Sequence, residues 1–429
     1  MIEIINIFFI IFSMIWIYSF PLLQSNFKTN LIINQFTPLE KISINLSIFL
    51  NFFLILSFYK VNFQYIFIIL LILPLVNFFF FKKKIVLQDL LILLFFSFVL
   101  SISVSSNLKL EWDGAALWIY RTVNFFSGNN FNNLSEIPGI ISYPHLGSYI
   151  WAFFWKNSFV NAEYSGRIFY IFCFCLSILL IFELKKNKLL NKILLISTSL
   201  IISLDYYLFG GYQEYLVFSI LIFIFYFYFK YFNRKEKIFL VPIILFINAI
   251  LWIKNEASFF VLFFFLFIFV HHLISKNKIK KEIILIGIFF IFILLIKYLI
   301  FYISFNELNI GWPGYEINEL GVIFSIDYIF ERTSSIIVNI FVALIKCKIY
   351  LIFFLTMLFF FGRENLKILS PFVFFLFLNL ILIFFIYFLT NDPDWRTYQA
   401  TTIDRLLIQT SGVYLFPVYF ILKKKFKLQ

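Results

Sequence analysis

The chain has 429 residues, 62% of them hydrophobic and only 13% charged, with a formal net charge of +13. Several apolar runs exceed the roughly 18 to 20 residues that an α-helix needs to cross the hydrocarbon layer, which excludes an ordinary soluble domain. The positive balance does not mark a nucleic-acid binder, because the lysines fall in short clusters at the ends of apolar runs, where they report topology against anionic lipid.

In chain order, the run Ile2 to Phe20 lacks the basic start and small-residue cleavage site of a signal peptide, so it is expected to span. Lys82, Lys83 and Lys84 follow the next apolar runs. Lys185, Lys186, Lys188 and Lys192 come after these, then Arg234, Lys235 and Lys237, then Lys276, Lys278, Lys280 and Lys281. Arg363 with Lys367, and finally Lys423, Lys424, Lys425 and Lys427, complete the set. If every cluster is cytoplasmic, the runs between them cross an even number of times. That parity requires one crossing in Thr333 to Phe361, interrupted by Lys346 and Lys348, so its first half is expected to be interfacial or re-entrant. The fold class is then an all-α, polytopic integral membrane protein of about 11 to 13 transmembrane helices. Its segments are 1–106, N-terminal spanning helices; 107–163, a large outward loop; and 164–429, a bundle with short outward loops.

The outward loops are Asn107 to Glu163, Gly210 to Glu214, Lys254 to Glu256, Ser304 to Arg332 and Thr390 to Thr402. In the first, Ala115 to Phe126 is amphipathic: Trp112, Ala116, Ile119, Val123 and Phe126 share one stripe and Arg121 lies off it, which suits a helix in the interface. Tyr149 to Trp155 is apolar but too short to span. Cys173 and Cys175 sit two apart in one run and point in different directions, and Cys347 is alone, so no disulfide framework or metal cluster is implied. The many phenylalanines, with Ile, Asn and Lys in excess, read as compositional bias and mark no ligand.

The acidic residues gather on the outward loops, and with them nearly every candidate reactive group. Glu111-Trp112-Asp113-Gly114 puts a carboxylate at a membrane exit, between an interfacial Trp and a glycine that lets the chain turn. The alternative is that Asp113 only caps the following helix. Lys254-Asn255-Glu256 lies between apolar runs, where a lysine and a carboxylate must pair or line a wet cavity. In Thr401 to Gln409, Thr402, Arg405 and Gln409 recur at helical spacing. A lipid-facing arginine is expensive, so Arg405 is expected to face the bundle, where its planar fork suits phosphate or carboxylate. A structural salt bridge from Asp404 or Glu256 is the rival. Glu214 stands at another outward helix end and could cap it. Tyr143-Pro144-His145-Leu146 holds the outward histidine, a residue more often structural than catalytic, and Glu163 with Arg167 could pair or help hold an anion.

Taken in order, these motifs resemble the polytopic GT-C glycosyltransferases, the group that includes the aminoarabinose and protein O-mannosyl transferases. The resemblance runs from Trp112-Asp113-Gly114 with Trp118 and Arg121, through Tyr143-Pro144-His145-Leu146, Glu163 with Arg167, Gly211-Tyr212-Gln213-Glu214 and Lys254-Asn255-Glu256, to Thr402-Ile403-Asp404-Arg405-Leu406-Leu407-Ile408-Gln409. It covers about Asn107 to the C-terminus. It implies a GT-C-like bundle that transfers a sugar from a polyprenyl-phosphate donor to a glycan, lipid or protein acceptor at the periplasmic face of a bacterial inner membrane. Asp113, assisted by Glu111, would act as general base in one inverting displacement, while Arg405, Lys254 and Arg167 stabilise the leaving phosphate. Arg121, Glu256, Glu214, Tyr143, His145, Asp404 and Gln409 are the further substrate-binding candidates. Whether Glu111 binds a divalent cation stays open. The rivals are an O-antigen-type polymerase or ligase, a lipid-linked glycan transporter or flippase, and a scaffold without chemistry.

Overall fold

The computed structural model describes residues 1–19, 36–80, 87–137, 143–184, 189–276, 278, 280–305, 316–317, 323, 325–391 and 395–426. Lys82 to Lys84, Lys185, Lys186, Lys188, Lys427 and most of the loop 304–332 lie outside the described residues. The described chain is predominantly helical. Its helices are α1 (Ile2–Tyr18), α2 (Pro38–Leu56), α3 (Phe63–Phe80), α4 (Leu87–Ser106), α5 (Ile119–Phe126), α6 (Leu146–Lys156), α7 (Tyr164–Ile181), α8 (Leu189–Ser203) and α9 (Glu214–Arg234). They continue as α10 (Leu240–Leu251), α11 (Ala257–Ile274), α12 (Lys281–Phe305), α13 (Ile326–Lys346), α14 (Lys348–Phe359), α15 (Arg363–Leu389), α16 (Trp395–Ser411) and α17 (Leu415–Phe426). Among the described residues nine helical segments are long and apolar enough to cross a membrane, and five shorter apolar helices accompany them. That is the make-up of a multi-pass membrane protein.

By contact the chain divides into two units, Met1–Lys186 with Leu204–Ile253, and Asn187–Ser203 with Lys254–Gln429. This division follows packing and does not coincide with the topological segments 1–106, 107–163 and 164–429.

The first unit is built around α7. Every residue of this helix is buried, and α1, α2, α4, α6 and α9 pack on it. A helix apolar on all sides has no preferred outer face, so it sits where all sides are covered. The N-terminal run is integrated into this bundle: Asn6 Nδ2 donates to Tyr164 OH (3.1 Å) and Ser165 Oγ (2.8 Å), and Asn6 Oδ1 accepts from the Phe159 amide (2.8 Å). Helix α2 opens on a capping box, with Thr37 Oγ1 accepting from Glu40 N and Glu40 Oε2 accepting from Thr37 N, and Pro38 in the first turn. The other oxygen of Glu40 accepts from Tyr226 OH (2.6 Å) and pairs with Lys230 Nζ (2.7 Å). This buried carboxylate is fully partnered.

The stripe Trp112, Ala116, Ile119, Val123 and Phe126 lies on the outer side of its segment, with Trp112 and Val123 exposed and Arg121 turned inward and buried. An apolar outer face over a polar inner one suits a helix at a lipid boundary. As expected, α6 is too short to span, at 11 residues.

In the second unit α11 packs on α15, and α13 on α15 and α16. Helix α12 is the most apolar span, with mean hydropathy 3.0, yet only 28% of that window is buried. Its apolarity therefore serves lipid contact more than a protein core. The interruption expected near Lys346 is real, since Cys347 adopts an extended conformation between α13 and α14. The first half is not re-entrant, however: α13 is one continuous helix of 21 residues, long and apolar enough to cross. Strand β1 (Glu316–Ile317) pairs antiparallel with β2 (Thr390–Asn391). Two loops assigned to one side by the lysine pattern thus meet. Cys173 and Cys175 are buried, and no disulfide forms among the described residues.

Candidate functional site

In the first unit the acidic motif docks on the glycine turn. Glu111 N donates to Gly210 O (3.0 Å). A Cβ on Gly114 would stand 2.4 Å from that same oxygen, and one on Gly210 would stand 2.5 Å from Glu111 Cγ. Both positions therefore need glycine for close approach, and Gly211, at φ +82°, needs it for its conformation. Two motifs nearly a hundred residues apart along the chain form one piece of backbone.

Asp113 heads a π-helical turn, Gly114–Trp118, that runs into α5, and its side chain makes no capping hydrogen bond. Its backbone is already helical, because Glu111 O accepts from Ala115 N (2.8 Å) one residue pair earlier. Capping therefore does not account for this carboxylate. π-turns within helices are frequent at functional sites, since the extra residue re-aims the side chains around it. Asp113 is 9% exposed, beside the exposed Trp112.

Arg167 holds this arrangement from below. Fully buried, it donates through NH1 to Phe209 O (2.6 Å) and through NH2 to Leu108 O (3.4 Å) and Glu163 Oε2 (2.9 Å). The carbonyls belong to the residues just before the glycine turn and just before the acidic motif. Arg167 is thereby occupied as a clamp between the two, with Glu163 as its ion-pair partner, which is the structural alternative for this pair. Burial pushes the Glu163 carboxyl up from its ordinary value, and Arg167 pulls it back without cancelling the rise.

Arg121 is likewise buried, with NH1 on Tyr143 O (2.5 Å). Burial lowers it to about 10, against the opposing pull of Tyr143. His145 is enclosed by the rings of Phe58, Phe125, Phe131 and Trp252, and its Nε2 is 2.7 Å from Ser57 Oγ. These three residues hold the first outward loop together. Glu214 is fully buried in the first turn of α9, where the helix N-terminus favours a carboxylate, and it is not the capping residue. Next to it Gln213 Nε2 donates to Ser148 Oγ (3.3 Å), while Gln213 Oε1 is buried without a partner.

The second unit gathers the remaining candidates. Lys254 Nζ is 4.0 Å from Glu256 Oε1, a loose pair, and Glu256 Oε2 is buried with no partner. Tyr387 OH lies 2.5 Å from Thr402 Oγ1 and within electrostatic reach of Arg405, Glu256 and Asp404. The structure so brings Lys254-Asn255-Glu256 and the start of the Thr402 to Gln409 stripe into one neighbourhood. Arg405 and Asp404 are half-buried, in keeping with an inward-facing arginine, and Asp404 Oδ1 accepts from Arg405 N (2.9 Å). Gln409, one turn deeper, is buried with both amide atoms unpartnered.

Lys297 escaped the motif-based reading. It donates to Asn255 Oδ1 (2.9 Å) from within α12. The signal was present: it is the lone charge in the apolar run from Ile283 to Phe305, and an ionisable residue inside a span marks function by default.

Glu111, considered for a divalent cation, faces Lys109 Nζ at 3.4 Å. No group of three or more His, Cys, Asp or Glu among the described residues is arranged to hold a metal ion. Comparison with known proteins finds no matching family model, no matching curated protein and no matching solved structure.

Proposed function

We propose that this protein is a membrane glycosyltransferase of the GT-C type, with about 11 to 13 spanning helices. It moves a sugar from a polyprenyl-phosphate carrier to a glycan, lipid or protein acceptor at the periplasmic face of a bacterial inner membrane. The observation that carries the reading is the docking of Glu111-Trp112-Asp113-Gly114 on Gly210-Gly211. It holds a carboxylate that caps nothing beside an exposed tryptophan, at an interface-type helix.

In the proposed reaction the acceptor hydroxyl oxygen bonds to the anomeric carbon as the bond from that carbon to the phosphate oxygen breaks. The hydroxyl proton passes to Asp113, and the electron pair leaves with the polyprenyl phosphate, inverting the anomeric centre. The charge that builds on the leaving phosphate calls for a cation beside it. Arg167 and Arg121 are positioning residues for the loop that carries Asp113.

The test is Asp113→Asn, assayed by mass spectrometry of envelope and lipid-linked glycans in cells carrying either form. Transfer should fall by about two to four orders of magnitude while insertion and expression persist, the range for loss of a general base. Near-normal glycan product from the variant would end the assignment. A lipid-linked glycan transporter is the second reading, favoured by one observation, the charge of Lys297 within a span. That reading predicts unchanged covalent structure of the glycans and an altered distribution across the membrane.

A further inference from the structure

The π-turn Gly114–Trp118 carries one residue more than an α-helical turn would, and Asp113 stands at its head. Squeezing that residue out would restore the α pattern and turn Asp113 by about 100° relative to α5, the angle one residue covers at roughly 3.6 per turn. The turn keeps its extra residue only while both its ends are held. The near end is seated on the glycine turn, with Gly114 against Gly210 O and Glu111 N donating to that oxygen at 3.0 Å. The far end is Trp118, whose carbonyl accepts from Thr122 Oγ1 (2.8 Å) within the helix and from Ser148 Oγ (3.4 Å) outside it. Ser148 has a single hydrogen to give, so toward Gln213 it accepts, and Gln213 Nε2 donates to it at 3.3 Å. A Cβ on Gly147 would stand 2.5 Å from Gln213 Cδ, so α6 leaves a gap there that the carboxamide fills.

Gln213 follows closely on Gly210, so one short segment of chain holds the π-turn at both ends. Gln213 is fully buried, and its Oε1 meets no donor. An apolar side chain of similar volume would remove that cost, so stability alone gives no reason for an amide at this position. We propose that Gln213 is a positioning residue that acts through Ser148 to lock the far end of the π-turn, and so keeps Asp113 in its orientation. The lock stands on these contacts alone; its bearing on sugar transfer rests on the glycosyltransferase reading.

The experiment compares the full chain with its Gln213→Met variant in detergent, by amide hydrogen exchange and Tm, and in cells by mass spectrometry of the glycans. A turn released at one end switches between the π and α patterns and breaks the bonds of each on the way. Exchange in the peptide spanning residues 111–119 should therefore rise about 10-fold, the scale of one hydrogen bond, with Tm equal or higher. Transfer should fall by a similar factor. Ser148→Ala should reproduce the faster exchange, and the double variant should add nothing to it, because the two side chains act in series; additive effects overturn the relay. Unchanged exchange in that peptide overturns the lock. A lower Tm with exchange rising throughout the first unit makes Gln213 merely structural and also overturns it. Faster local exchange with undiminished transfer overturns the role toward Asp113, as does a further 10-fold loss when Gln213→Met is added to Asp113→Asn, since a residue working through Asp113 has nothing left to position there. Normal transfer by Asp113→Asn alone ends the transferase assignment, and the exchange measurement still decides the lock.

Discussion

Arg167 in the first unit and Lys297 in the second are both cations withdrawn from water, and the fold treats them in opposite ways. Arg167 has a carboxylate and two carbonyl oxygens within hydrogen-bond distance. Lys297 has one amide oxygen. The desolvation cost is offset locally in the first case and left largely open in the second. Arg167 still keeps its Nε, and Glu163 its Oε1, buried without a partner, so the two cations differ in how many oxygens they meet and not in whether every atom is met. The same contrast holds between carboxylates. Glu40 is shared among Lys230, Tyr226 and its own capping box, whereas Glu256 keeps a buried oxygen without a donor.

The largest effect should come from removing the cation with more partners. Arg167→Met strands the Glu163 carboxylate and the carbonyls of Phe209 and Leu108, and should cost about 3–5 kcal/mol of stability in detergent unfolding, the range for removing one partner of a buried pair. The same substitution at Lys297 should cost nothing. Equal losses at the two positions would erase the distinction between them.

A smaller effect is expected at the backbone contact that Arg167 secures. Gly114→Ala drives a Cβ to 2.4 Å from Gly210 O, an atom of backbone that cannot swing aside. Strain of about 1–3 kcal/mol should follow. Transfer should fall with it, because Asp113 immediately precedes the displaced residue. Full activity in the alanine variant would mean that the acidic motif works without its seat on the glycine turn.

The smallest effect is a pH slope. Burial raises the Glu163 carboxyl above its unfolded value even with Arg167 present. A raised carboxyl favours the folded state below the unfolded pKa, and that contribution is lost as pH rises through the folded pKa. Glu163→Gln cannot titrate. Tm should accordingly decline more with rising pH across the carboxylate range in the wild type than in the variant, and parallel Tm profiles would show that Arg167 cancels the cost of burial.

Much of the architecture could be read from the chain alone. Long apolar runs and lysine clusters define spans because the hydrocarbon layer forces every backbone polar group into internal hydrogen bonds and keeps ammonium groups at its edges. The short α6, the amphipathic Ala115 to Phe126 segment and the break at Cys347 follow from run length and period in the same way. Candidate residues such as Asp113, Glu256 and Arg405 stand out because charge is rare in this composition.

Their partners are another matter. Nothing in the local sequence tells that Gly114 packs on Gly210, that Arg167 reaches Phe209 and Leu108, or that His145 is walled in by Phe58, Phe125, Phe131 and Trp252. That α13 is one continuous helix was not legible either, because crossing parity constrains the number of spans and says nothing about whether a given one bends. Hydropathy records the cost of moving each side chain out of water, so it determines which segments enter the membrane. Only tertiary packing decides which buried charge meets three oxygens, as Arg167 does, and which meets one, as Lys297 does.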